Sequence, residues 1–494
     1  MATAELLQDQ ELFGTDGVRG QATSELGNGL INPQTFAGLG YALVEEIRAR
    51  GHEGDIRIAV GRDRRPSGEL LAEAAMCGIQ AAGGIVINAG IIPTPGVQRI
   101  AHYEDDVAGG VIVTASHNPP KYNGVKETFK AFKPTKEEAL AITRRFWRQV
   151  DSGLAIPNTL NPSRVEERTD ATEAYISAIV EDLRQEFKSE TPLAGKLFVV
   201  DCANGAAIDI SPEVFERLGA RVTRFGCDPS GAINDNCGAE HLGGVKEFLA
   251  NHPEITSDPD FMGAVAHDGD ADRGNGIGFF NGEFLEITGS HILEAMAEYP
   301  RRPETLEVTA KHSKQLGTIG TIYTNTASVR RIHGKSVAFE YCKTGDTAVT
   351  QALMSKQAAG KDWYMGAEDS GHAVDMTKLP SGDGTHSMAH YACWAATVQE
   401  ATFGEIAHAL PLWPMRHLKI PTNGLAVPEN IAEHPRVAAA IEAQVRKLGG
   451  DARAILRPSG TEPVVRVTVE SLNPEGIDDA AQRLGEVAMA VAAA

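Results

Sequence analysis

The feature that most constrains the fold of this chain is a series of short apolar runs that alternate with helix-like segments. The runs are IRIAV (56–60), GIVINAG (84–90), GGVIVT (109–114), KLFVVD (196–201) and MGAVAH (262–267). Near-continuous apolar runs of this length are typical of strands buried on both faces of a parallel sheet. Residues 67–83 and 134–150 have apolar positions at helical spacing, and Thr135 and Glu138 have the spacing of a capping box. The alternation predicts an α/β fold.

The C-terminal part of the chain has a different pattern. Val465, Val467 and Val469 alternate with polar residues, which predicts a half-exposed strand of an antiparallel sheet. At about 150 residues per domain, a chain of 494 residues is expected to form three or four domains. We therefore expect a last domain of separate architecture to begin near the proline-rich segment 410–424.

Net charge, the N-terminal segment and the cysteines indicate which partners and which cell compartment to expect. The formal net charge of −20 argues against a sequence-independent nucleic-acid binder, because such proteins need a basic face. The N-terminal segment has acidic residues and no apolar core, and no apolar run approaches about 18 residues. The six cysteines form no Cys-x-x-Cys pair, which is typical of reduced thiols. We expect a cytoplasmic protein with no nucleic-acid partner and no membrane partner.

One polar loop after an apolar run places Ser116 beside His117, in the segment TASHNPPK. Ligands of open α/β sheets bind at the carboxyl ends of strands, so this position favours a functional loop. If residues 111–117 are extended, the two side chains point to opposite faces, and His117 is poorly placed as the base of a hydrolytic serine. The Gly-x-Ser-x-Gly elbow of hydrolases is also missing. A capping or turn serine before Pro119 is the other interpretation.

The segment HDGDADR places three aspartates at alternate positions after another apolar run. In an extended loop, Asp268, Asp270 and Asp272 face the same way and can bind one hard cation. An EF-hand would need Gly and Glu where the chain has Arg273 and Phe279, so that kind of calcium site is excluded. All-oxygen ligands favour magnesium. The other interpretation is an acidic turn with solvated charges.

Two further loops have residues that suit a phosphosugar. RPSGTEP (457–463) combines an arginine, hydroxyls and a glycine, which suit a phosphate, although Pro-Ser-Gly is also common in simple turns. AEDSGH (367–372) places Glu368, Ser370 and His372 at a predicted strand end. A carboxylate and a hydroxyl there can bind a pair of vicinal sugar hydroxyls, and an ordinary Ser-Gly turn is the alternative.

Two glycine-rich loops near the N-terminus contain arginines. They are FGTDGVRG (13–20) and GRDRRPSG (61–68). As isolated matches they are weak, and solvated loop charges are the simpler interpretation.

Taken together, these motifs resemble those of the α-D-phosphohexomutase superfamily. FGTDGVRG, TASHNPPKYNGVK, DGDADR, Glu-x-Ser-Gly-His and RPSGTEP occur in the order of that family and extend from residue 13 to residue 466. The resemblance implies three related α/β domains and a smaller C-terminal α+β domain around a central cleft. The corresponding ranges are 1–165 with the phosphoserine loop, 166–285 with the metal loop, 286–409 with the sugar-binding loop and 410–494 with the phosphate-binding loop.

The resemblance also implies roles for single residues. Ser116 matches the serine that carries a phosphoryl group in the active enzyme. The matches to magnesium ligands are Ser116, Asp268, Asp270 and Asp272. The matches to catalytic residues are Lys126 as a general acid/base, Arg19 near the transferring phosphate, and His117 as a neighbour that steadies the site. The matches to substrate-binding residues are Arg273, Lys343, Glu368, Ser370, His372, Arg457, Ser459, Gly460, Thr461 and Arg466.

The activity that the resemblance implies is an intramolecular phosphotransfer, which is an isomerase reaction. Phosphorylated Ser116 gives its phosphoryl group to a 6-phosphosugar, the resulting hexose 1,6-bisphosphate turns around, and Ser116 takes a phosphoryl group back from the other end. Mg²⁺ is the implied cofactor and the bisphosphate is the intermediate and activator. The expected partner is a phosphosugar, and the expected state is a monomer or a homodimer.

Four segments are similar to the phosphoglucosamine mutase branch of the superfamily: FGTDGVRG, 199–220, 233–249 and CKTGD (342–346). This similarity favours glucosamine 6-phosphate as the substrate, with a phosphomannomutase or phosphoglucomutase on the same scaffold as the alternative. Asp369 stands where that branch usually has Gln, and Ala271 where it usually has Gly. Asp369 is interpreted either as a partner of the glucosamine ammonium or as a solvent-facing residue.

A catalytically inactive phosphosugar-binding protein is disfavoured, because the chain retains the catalytic set. The retained residues are Ser116, Lys126, Arg19 and the three aspartates. A serine hydrolase is the most distant alternative.

Overall fold

A computed structural model describes residues 12–14, 16–23, 29–298, 316–459 and 463–493. These residues form four β-sheets with helices packed on them. Three sheets combine parallel strands with strands in antiparallel pairing, and the fourth is small and antiparallel. The predicted fold class of three α/β units and a smaller C-terminal α+β unit is confirmed. Over the described residues, we find no helix that is both long enough and apolar enough to cross a membrane.

The first sheet has six strands. They are β1 (Val18–Gln21), β2 (Arg57–Arg62), β3 (Ile85–Ile91), β4 (Val107–Val113), β5 (Tyr122–Phe129) and β6 (Val165–Glu167). Their order is β1–β5–β4–β2–β3–β6, with β4, β2, β3 and β6 parallel and β5 antiparallel to both of its neighbours. The helices along this part are α1 (Pro33–Ala49), α2 (Gly68–Ala81), α3 (Thr94–Tyr103) and α4 (Lys136–Asp151), and a 3₁₀ turn spans Pro162–Arg164.

The second sheet has five strands. They are β7 (Leu197–Asp201), β8 (Arg221–Phe225), β9 (Phe261–His267), β10 (Gly274–Phe280) and β11 (Glu283–Ile287). In the order β11–β10–β9–β7–β8, the last three are parallel, and β10 is antiparallel to β9 and to β11. The helices are α5 (Ala171–Phe187), α6 (Ser211–Arg217), α7 (Leu242–Asn251) and α8 (Pro253–Thr256).

The third sheet also has five strands. They are β12 (Gly317–Thr321), β13 (Ala338–Cys342), β14 (Trp363–Ala367), β15 (Ala373–Asp375) and β16 (Leu379–Gly382). In the order β13–β12–β14–β15–β16, the first three are parallel and the last two join in antiparallel pairing. The helices along this part of the chain are α9 (Gly289–Glu298), α10 (Thr326–Gly334), α11 (Asp346–Ala358), α12 (Gly384–Trp394), which continues as a π-helix over Ala395–Gln399, and α13 (Phe403–Ala409).

The fourth sheet is antiparallel throughout. Its strands are β17 (Met415–Pro421), β18 (Arg453–Pro458) and β19 (Val464–Glu470), in the order β17–β19–β18. Its helices are α14 (Pro435–Lys447) and α15 (Ile477–Ala492), and a 3₁₀ turn spans Ile431–Glu433. Val465, Val467 and Val469 are fully buried in the core of this part, so the strand and its inward-facing valines are confirmed. The predicted half-exposure is wrong for Thr468 and Glu470, which are buried as well.

The chain divides into two compact units. One comprises the residues up to Tyr323 together with Lys335–Ala409, and the other comprises Thr324–Gly334 together with the residues from Leu410 onward. The first unit contains the three α/β sheets, and the second contains the antiparallel sheet with helix α10. The four domain ranges inferred from the sequence remain predictions.

The apolar runs fold as their composition predicts. The predicted strands at 56–60, 84–90, 109–114, 196–201 and 262–267 correspond to β2, β3, β4, β7 and β9. Ile58, Val60 and Val111 have no exposed surface, because these central strands are covered on both faces. The predicted capping box is present: the Glu138 N–H donates to Thr135 Oγ1, and the Thr135 N–H donates to Glu138 Oε2. The strands β4 and β9 end directly before the loops that contain Ser116 and the three aspartates.

Candidate active site

Ser116 lies in a tight turn after β4. The strand ends at Val113, and Ser116 has a left-handed backbone with φ of 52°. Its side chain is completely buried. The Ser116 N–H donates to Thr114 Oγ1 at 2.8 Å, and the Ser116 hydroxyl donates to Asp268 Oδ2 at 2.6 Å. The hydroxyl is therefore directed at the aspartate loop of the neighbouring sheet.

The prediction that Ser116 and His117 point to opposite faces is wrong. Because the chain leaves the strand at Val113 and turns at Ser116, His117 Nδ1 lies 3.4 Å from Ser116 Oγ. Burial, followed by the nearby Arg273, lowers the pKa of His117 to about 4. The Ser116 hydroxyl nevertheless donates its proton to Asp268, which is the shorter contact. A hydrolase needs that proton directed at the base, so His117 is not placed as one.

A buried ion pair holds the Ser116 turn in place, and the sequence interpretation missed it. Asp63 and Arg65 have no exposed side-chain surface and lie 3.0 Å apart. Arg65 donates to the carbonyl oxygens of Ser116 (2.7 Å), Asn118 (2.8 Å) and Pro119 (2.7 Å). For these two residues the interpretation of GRDRRPSG as solvated loop charges is wrong. The available signal was that this loop, like TASHNPP, follows a buried strand.

We expect Arg65→Met to lower the free energy of unfolding by about 3–5 kcal/mol, because Asp63 would be left as a buried charge without its partner. The matched control is Arg144→Met, which removes an exposed arginine of α4. That change should cost at most about 1 kcal/mol. Urea denaturation of both variants measures the difference, and equal losses would contradict the role given to Arg65.

A second polar contact reaches the Ser116 turn from the second sheet. Asn234 Nδ2 donates to the Ser116 carbonyl at 2.8 Å and to the Asn118 carbonyl at 3.2 Å. Asn234 has φ of 59°, a conformation that asparagine adopts more readily than most residues. The sequence interpretation assigned no role to Asn234, although it lies in the segment 233–249.

The three predicted aspartates converge. One carboxylate oxygen from each of Asp268, Asp270 and Asp272 lies within 4.8 Å of the others, and all three side chains are buried. The loop is a turn and not the extended segment assumed from the sequence. It turns at Ala271, with φ of 51°, which explains why glycine is usual there. At Gly269 a Cβ would come within 2.8 Å of the Ser116 carbonyl oxygen, so the close approach of the two loops requires glycine.

The aspartate cluster fits a divalent cation. Within the described part of the chain, Asp270 Oδ1 and Asp272 Oδ1 are buried and have no hydrogen-bond partner. Burial, with the repulsion of Asp272 and Asp270, raises the pKa of Asp268 well above its ordinary value. Buried carboxylate oxygens of this kind are the ligands that magnesium prefers. The alternative of a solvated acidic turn is excluded by the burial.

Lys126 contacts two of these aspartates directly. Its ammonium lies 2.7 Å from Asp270 Oδ2 and 2.5 Å from Asp272 Oδ2, and 3.2 Å from Asp16 Oδ2. Burial lowers the pKa of Lys126, but the three carboxylates outweigh it and hold the pKa well above its ordinary value. Burial alone would raise the pKa of Asp272, but Lys126 reverses this and holds it below the ordinary value.

Two arginines lie beside residues that adjoin or contact Ser116. Arg19 donates to the Ala115 carbonyl at 3.3 Å and forms an ion pair with Asp16. Arg273 pairs with Glu240, and its Nε lies 3.9 Å from Asp268 Oδ2. The predicted residues Ser116, Lys126, Arg19, His117 and Arg273 are thus brought together with the aspartates.

The loop with Glu368 lies beside the metal loop. Asn275 Nδ2 donates to the Ser370 carbonyl at 3.3 Å, and the Gly371 carbonyl accepts from Gly274 at 3.0 Å. Glu368 Oε1 accepts from the Gly345 N–H at 2.8 Å, which ties it to the turn that also contains the exposed Lys343. The predicted sugar-reading residues and Lys343 therefore belong to adjacent loops.

Asp369 is engaged in hydrogen bonds within the protein. Its Oδ1 accepts from Thr288 Oγ1 at 2.8 Å and from Ser290 Oγ at 2.6 Å, and the residue is half-buried. The two interpretations from the sequence, a partner of the glucosamine ammonium and a solvent-facing residue, did not include these two hydroxyls. The carboxylate anchors the sugar-reading loop to the start of α9.

The predicted phosphate-binding residues lie on the small antiparallel sheet of the second unit. Lys419, Arg466 and Arg457 are directly opposite one another across its three strands, on the face away from the buried valines. Guanidinium and ammonium groups on one face of a sheet suit an anion such as a phosphate. The Ser459 N–H donates to the Val464 carbonyl at 2.9 Å. The predicted sites Gly460 and Thr461 lie outside the described residues.

Three regions of the chain match models of one protein family. The matches are described as phosphoglucomutase/phosphomannomutase, alpha/beta/alpha domain I (residues 10–150), alpha/beta/alpha domain III (288–412) and C-terminal domain (424–487). They cover more than half of the chain.

Curated relatives match over nearly the whole length. The phosphoglucosamine mutase of Coxiella burnetii (strain CbuG_Q212) is 32% identical over 470 residues, which cover 95% of this chain and 96% of the relative. The phosphoglucosamine mutase of Thermobifida fusca (strain YX) is 33% identical over 480 residues, which cover 96% of this chain and 97% of the relative.

Solved structures share the fold. A phosphoglucomutase/phosphomannomutase family protein from Burkholderia thailandensis has a TM-score of 0.72 at 21% identity over 98% of both chains. Aspergillus fumigatus N-acetylphosphoglucosamine mutase in complex with GlcNAc-6P and magnesium has a TM-score of 0.61 at 16% identity, over 90% of this chain and 84% of that chain.

Proposed function

The chain belongs to the phosphoglucomutase/phosphomannomutase family and is a mutase, and from this premise we propose that it interconverts glucosamine 6-phosphate and glucosamine 1-phosphate. The observation that carries the proposal is the contact of the Ser116 hydroxyl with Asp268, inside a cluster of three buried carboxylates. A serine at a cation site suits a residue that carries a phosphoryl group. The relatives called phosphoglucosamine mutase support glucosamine 6-phosphate as the sugar.

The reaction consists of two phosphoryl transfers. First, the 1-hydroxyl of the 6-phosphosugar attacks the phosphorus of phosphorylated Ser116, and the bond between phosphorus and Ser116 Oγ breaks. The 1,6-bisphosphate then turns around, Ser116 Oγ attacks the phosphorus of the 6-phosphate, and the bond between phosphorus and O6 breaks to leave the 1-phosphosugar. Lys126, present as an ammonium among the carboxylates, gives a proton to the oxygen that leaves phosphorus and takes one from the attacking hydroxyl, so its protonation is unchanged after each transfer. Arg19 offsets charge on the group in transfer.

Magnesium is the proposed cofactor. Asp268, Asp270, Asp272 and the side-chain oxygen of Ser116 would hold it, and when bound it neutralises charge on the transferring phosphoryl group. Support comes from the unpartnered oxygens of Asp270 and Asp272 and from the magnesium in the Aspergillus fumigatus relative. Within this chain, Lys126 pairs with Asp270 and Asp272, and Arg273 lies 3.9 Å from Asp268.

Separate loops bind the parts of the substrate that do not react. Glu368, with Ser370 and His372 from the same loop, reads the sugar hydroxyls, and Lys343 lies in the adjoining turn. Arg457 and Arg466, with Ser459, Gly460 and Thr461, bind the second phosphate. Because either phosphate occupies this second position in one half of the cycle, the site must recognise a phosphate and not a particular end of the sugar.

A mutase assay on the purified protein tests the proposal. Glucosamine, glucose and mannose 6-phosphates are compared with Mg²⁺ and a hexose 1,6-bisphosphate as activator. We expect turnover with glucosamine 6-phosphate to be highest and chelation of the metal to remove it. Preference for the mannose or glucose substrate would favour a phosphomannomutase or phosphoglucomutase, and no turnover on any of the three would contradict the proposal.

We expect Asp369→Gln to leave the preference for glucosamine over glucose 6-phosphate unchanged within about twofold. The physical reason is that Asp369 Oδ1 already accepts two hydrogen bonds from Thr288 and Ser290, which a glutamine oxygen can also accept. The kcat/KM values for both sugars measure the preference, with Glu368→Gln as the neighbouring control that should lower turnover of both. A large loss of preference in Asp369→Gln would support the ammonium interpretation instead.

A further inference from the structure

Lys133 lies between two carboxylates that come from different parts of the chain. It is in the loop between β5 and α4, and its ammonium contacts Asp16 Oδ1 at 2.5 Å and also pairs with Asp346, the first residue of α11. Only 9% of the Lys133 side chain and 7% of the Asp346 side chain are exposed. A cation buried between two carboxylates is a fixed structural link, because neither charge can be left alone at low cost.

On one side this link reaches the phosphoryl-transfer residues. Asp16 Oδ2 pairs with Arg19 and lies 3.2 Å from Lys126 Nζ, while Oδ1 contacts Lys133. Burial would raise the pKa of Asp16, but Lys126 and Lys133 outweigh it and hold the pKa well below the ordinary value. Lys133 therefore helps to fix the carboxylate against which Arg19 and Lys126 are placed.

On the other side the link reaches the sugar-reading loop. Asp346 directly follows Gly345, whose N–H donates to Glu368 Oε1 at 2.8 Å. Asp346 Oδ2 also lies 3.6 Å from Nε2 of the buried His372. The Asp346 side chain is therefore held by Lys133 at the residue directly after the amide that donates to Glu368.

We propose that Lys133 is a positioning residue that couples the phosphoryl-transfer site to the sugar-reading loop. The roles given to these two sites rest on the proposed function. The contacts form a continuous series of alternating charge, from Lys126 through Asp16 and Lys133 to Asp346, and end at the amide that holds Glu368. Because the link reaches the sugar through Glu368, its loss should affect sugar binding more than the chemical step.

We expect Lys133→Met to raise the KM for the 6-phosphosugar about tenfold or more, with a smaller change in kcat. Methionine fills most of the lysine stem but lacks the charge, so Asp16 and Asp346 lose their shared partner. Lys133→Arg keeps the charge and should recover most of the affinity. The matched control is Lys447→Met, an exposed lysine at the end of α14, which should behave as wild type.

Amide hydrogen exchange provides a readout that does not depend on turnover. In Lys133→Met the Gly345 amide should exchange about tenfold faster or more, because the turn that presents it to Glu368 is no longer held. Asp346→Asn removes the same ion pair with little change of shape and serves as the second variant if Lys133→Met does not fold. The double variant should be no worse than the more affected single variant, because both changes break one link.

The outcomes separate the two proposals. A wild-type protein without turnover on any of the three sugars overturns the proposed function, while the exchange comparison still decides the coupling. The coupling is overturned if a folded Lys133→Met or Asp346→Asn protein keeps wild-type KM and wild-type Gly345 exchange. It is also overturned if kcat alone falls, or if the effects of the two single variants add.

Discussion

Replacement of Ser116 by alanine is expected to lower mutase turnover by at least about 10³-fold, because the variant has no group to carry the phosphoryl between the two half-reactions. The Ser116 hydroxyl is buried and donates to Asp268. A water molecule in its place could not hold the phosphoryl group covalently on the protein. Turnover of glucosamine 6-phosphate with Mg²⁺ and a bisphosphate measures the loss. Intact-mass analysis after incubation with the bisphosphate should show one phosphoryl group on the wild type and none on the variant.

Ser163→Ala is the matched control for this change. Ser163 is exposed, and its hydroxyl donates to Asn161 Oδ1 at 2.8 Å on the surface, so turnover and phosphorylation should equal those of the wild type. A Ser116→Ala protein that keeps wild-type turnover would contradict the carrier role and revive the hydrolase alternative. Retention of the phosphoryl group in that variant would place the carrier at another residue.

Lys126→Met is expected to lower kcat by about 10²–10⁴-fold, the range that loss of a general acid/base produces. The Lys126 ammonium lies 2.7 Å from Asp270 and 2.5 Å from Asp272, in the same carboxylate cluster as Asp268, which accepts the Ser116 hydroxyl. In the proposed cycle the variant lacks the ammonium that exchanges a proton with the sugar oxygen in each half-reaction. Initial rates at saturating 6-phosphosugar and bisphosphate isolate kcat from substrate binding.

Lys126→Arg separates charge from proton transfer. Arginine keeps a positive charge against the aspartates but does not give up its proton in a protein, so it should preserve the fold without restoring turnover. Melting temperatures of both variants report the structural effect, and their rates report the chemical one. Near-wild-type turnover in Lys126→Arg would show that Lys126 serves as a charge and not as a general acid/base.

Several parts of the fold followed from the sequence because they depend on local patterns. The apolar runs predicted β2, β3, β4, β7 and β9, since a strand buried on both faces needs apolar residues at successive positions. The Thr135–Glu138 capping box and the alternating valines of β19 were predicted for the same reason. The convergence of the three aspartates was also predicted, although a turn at Ala271 and not an extended loop produces it.

Other features of the site could not be predicted from the sequence. The left-handed turn at Ser116 places His117 near the Ser116 hydroxyl. No residue type near Ser116 in the sequence predicted this turn. Arginine is usually a surface residue, but Arg65 is buried against Asp63 and donates to four carbonyl groups, those of Ser116, Asn118, Pro119 and Tyr122. Asp369 was expected at the sugar or in solvent, yet Thr288 and Ser290, about 80 positions earlier in the chain, bind it.

Sequence patterns thus established the fold class, the loops that carry polar chemistry and the residue types available for phosphoryl transfer. Strand and helix periodicity, turn residues and motif spacing involve neighbours in the chain, so composition is enough to reveal them. The tertiary structure alone decided which charges meet. Ser116 and Asp268 are 152 residues apart, and Lys133 joins Asp16 to Asp346. Such contacts depend on how the sheets pack, because burial forces each charge to find a partner wherever the fold provides one.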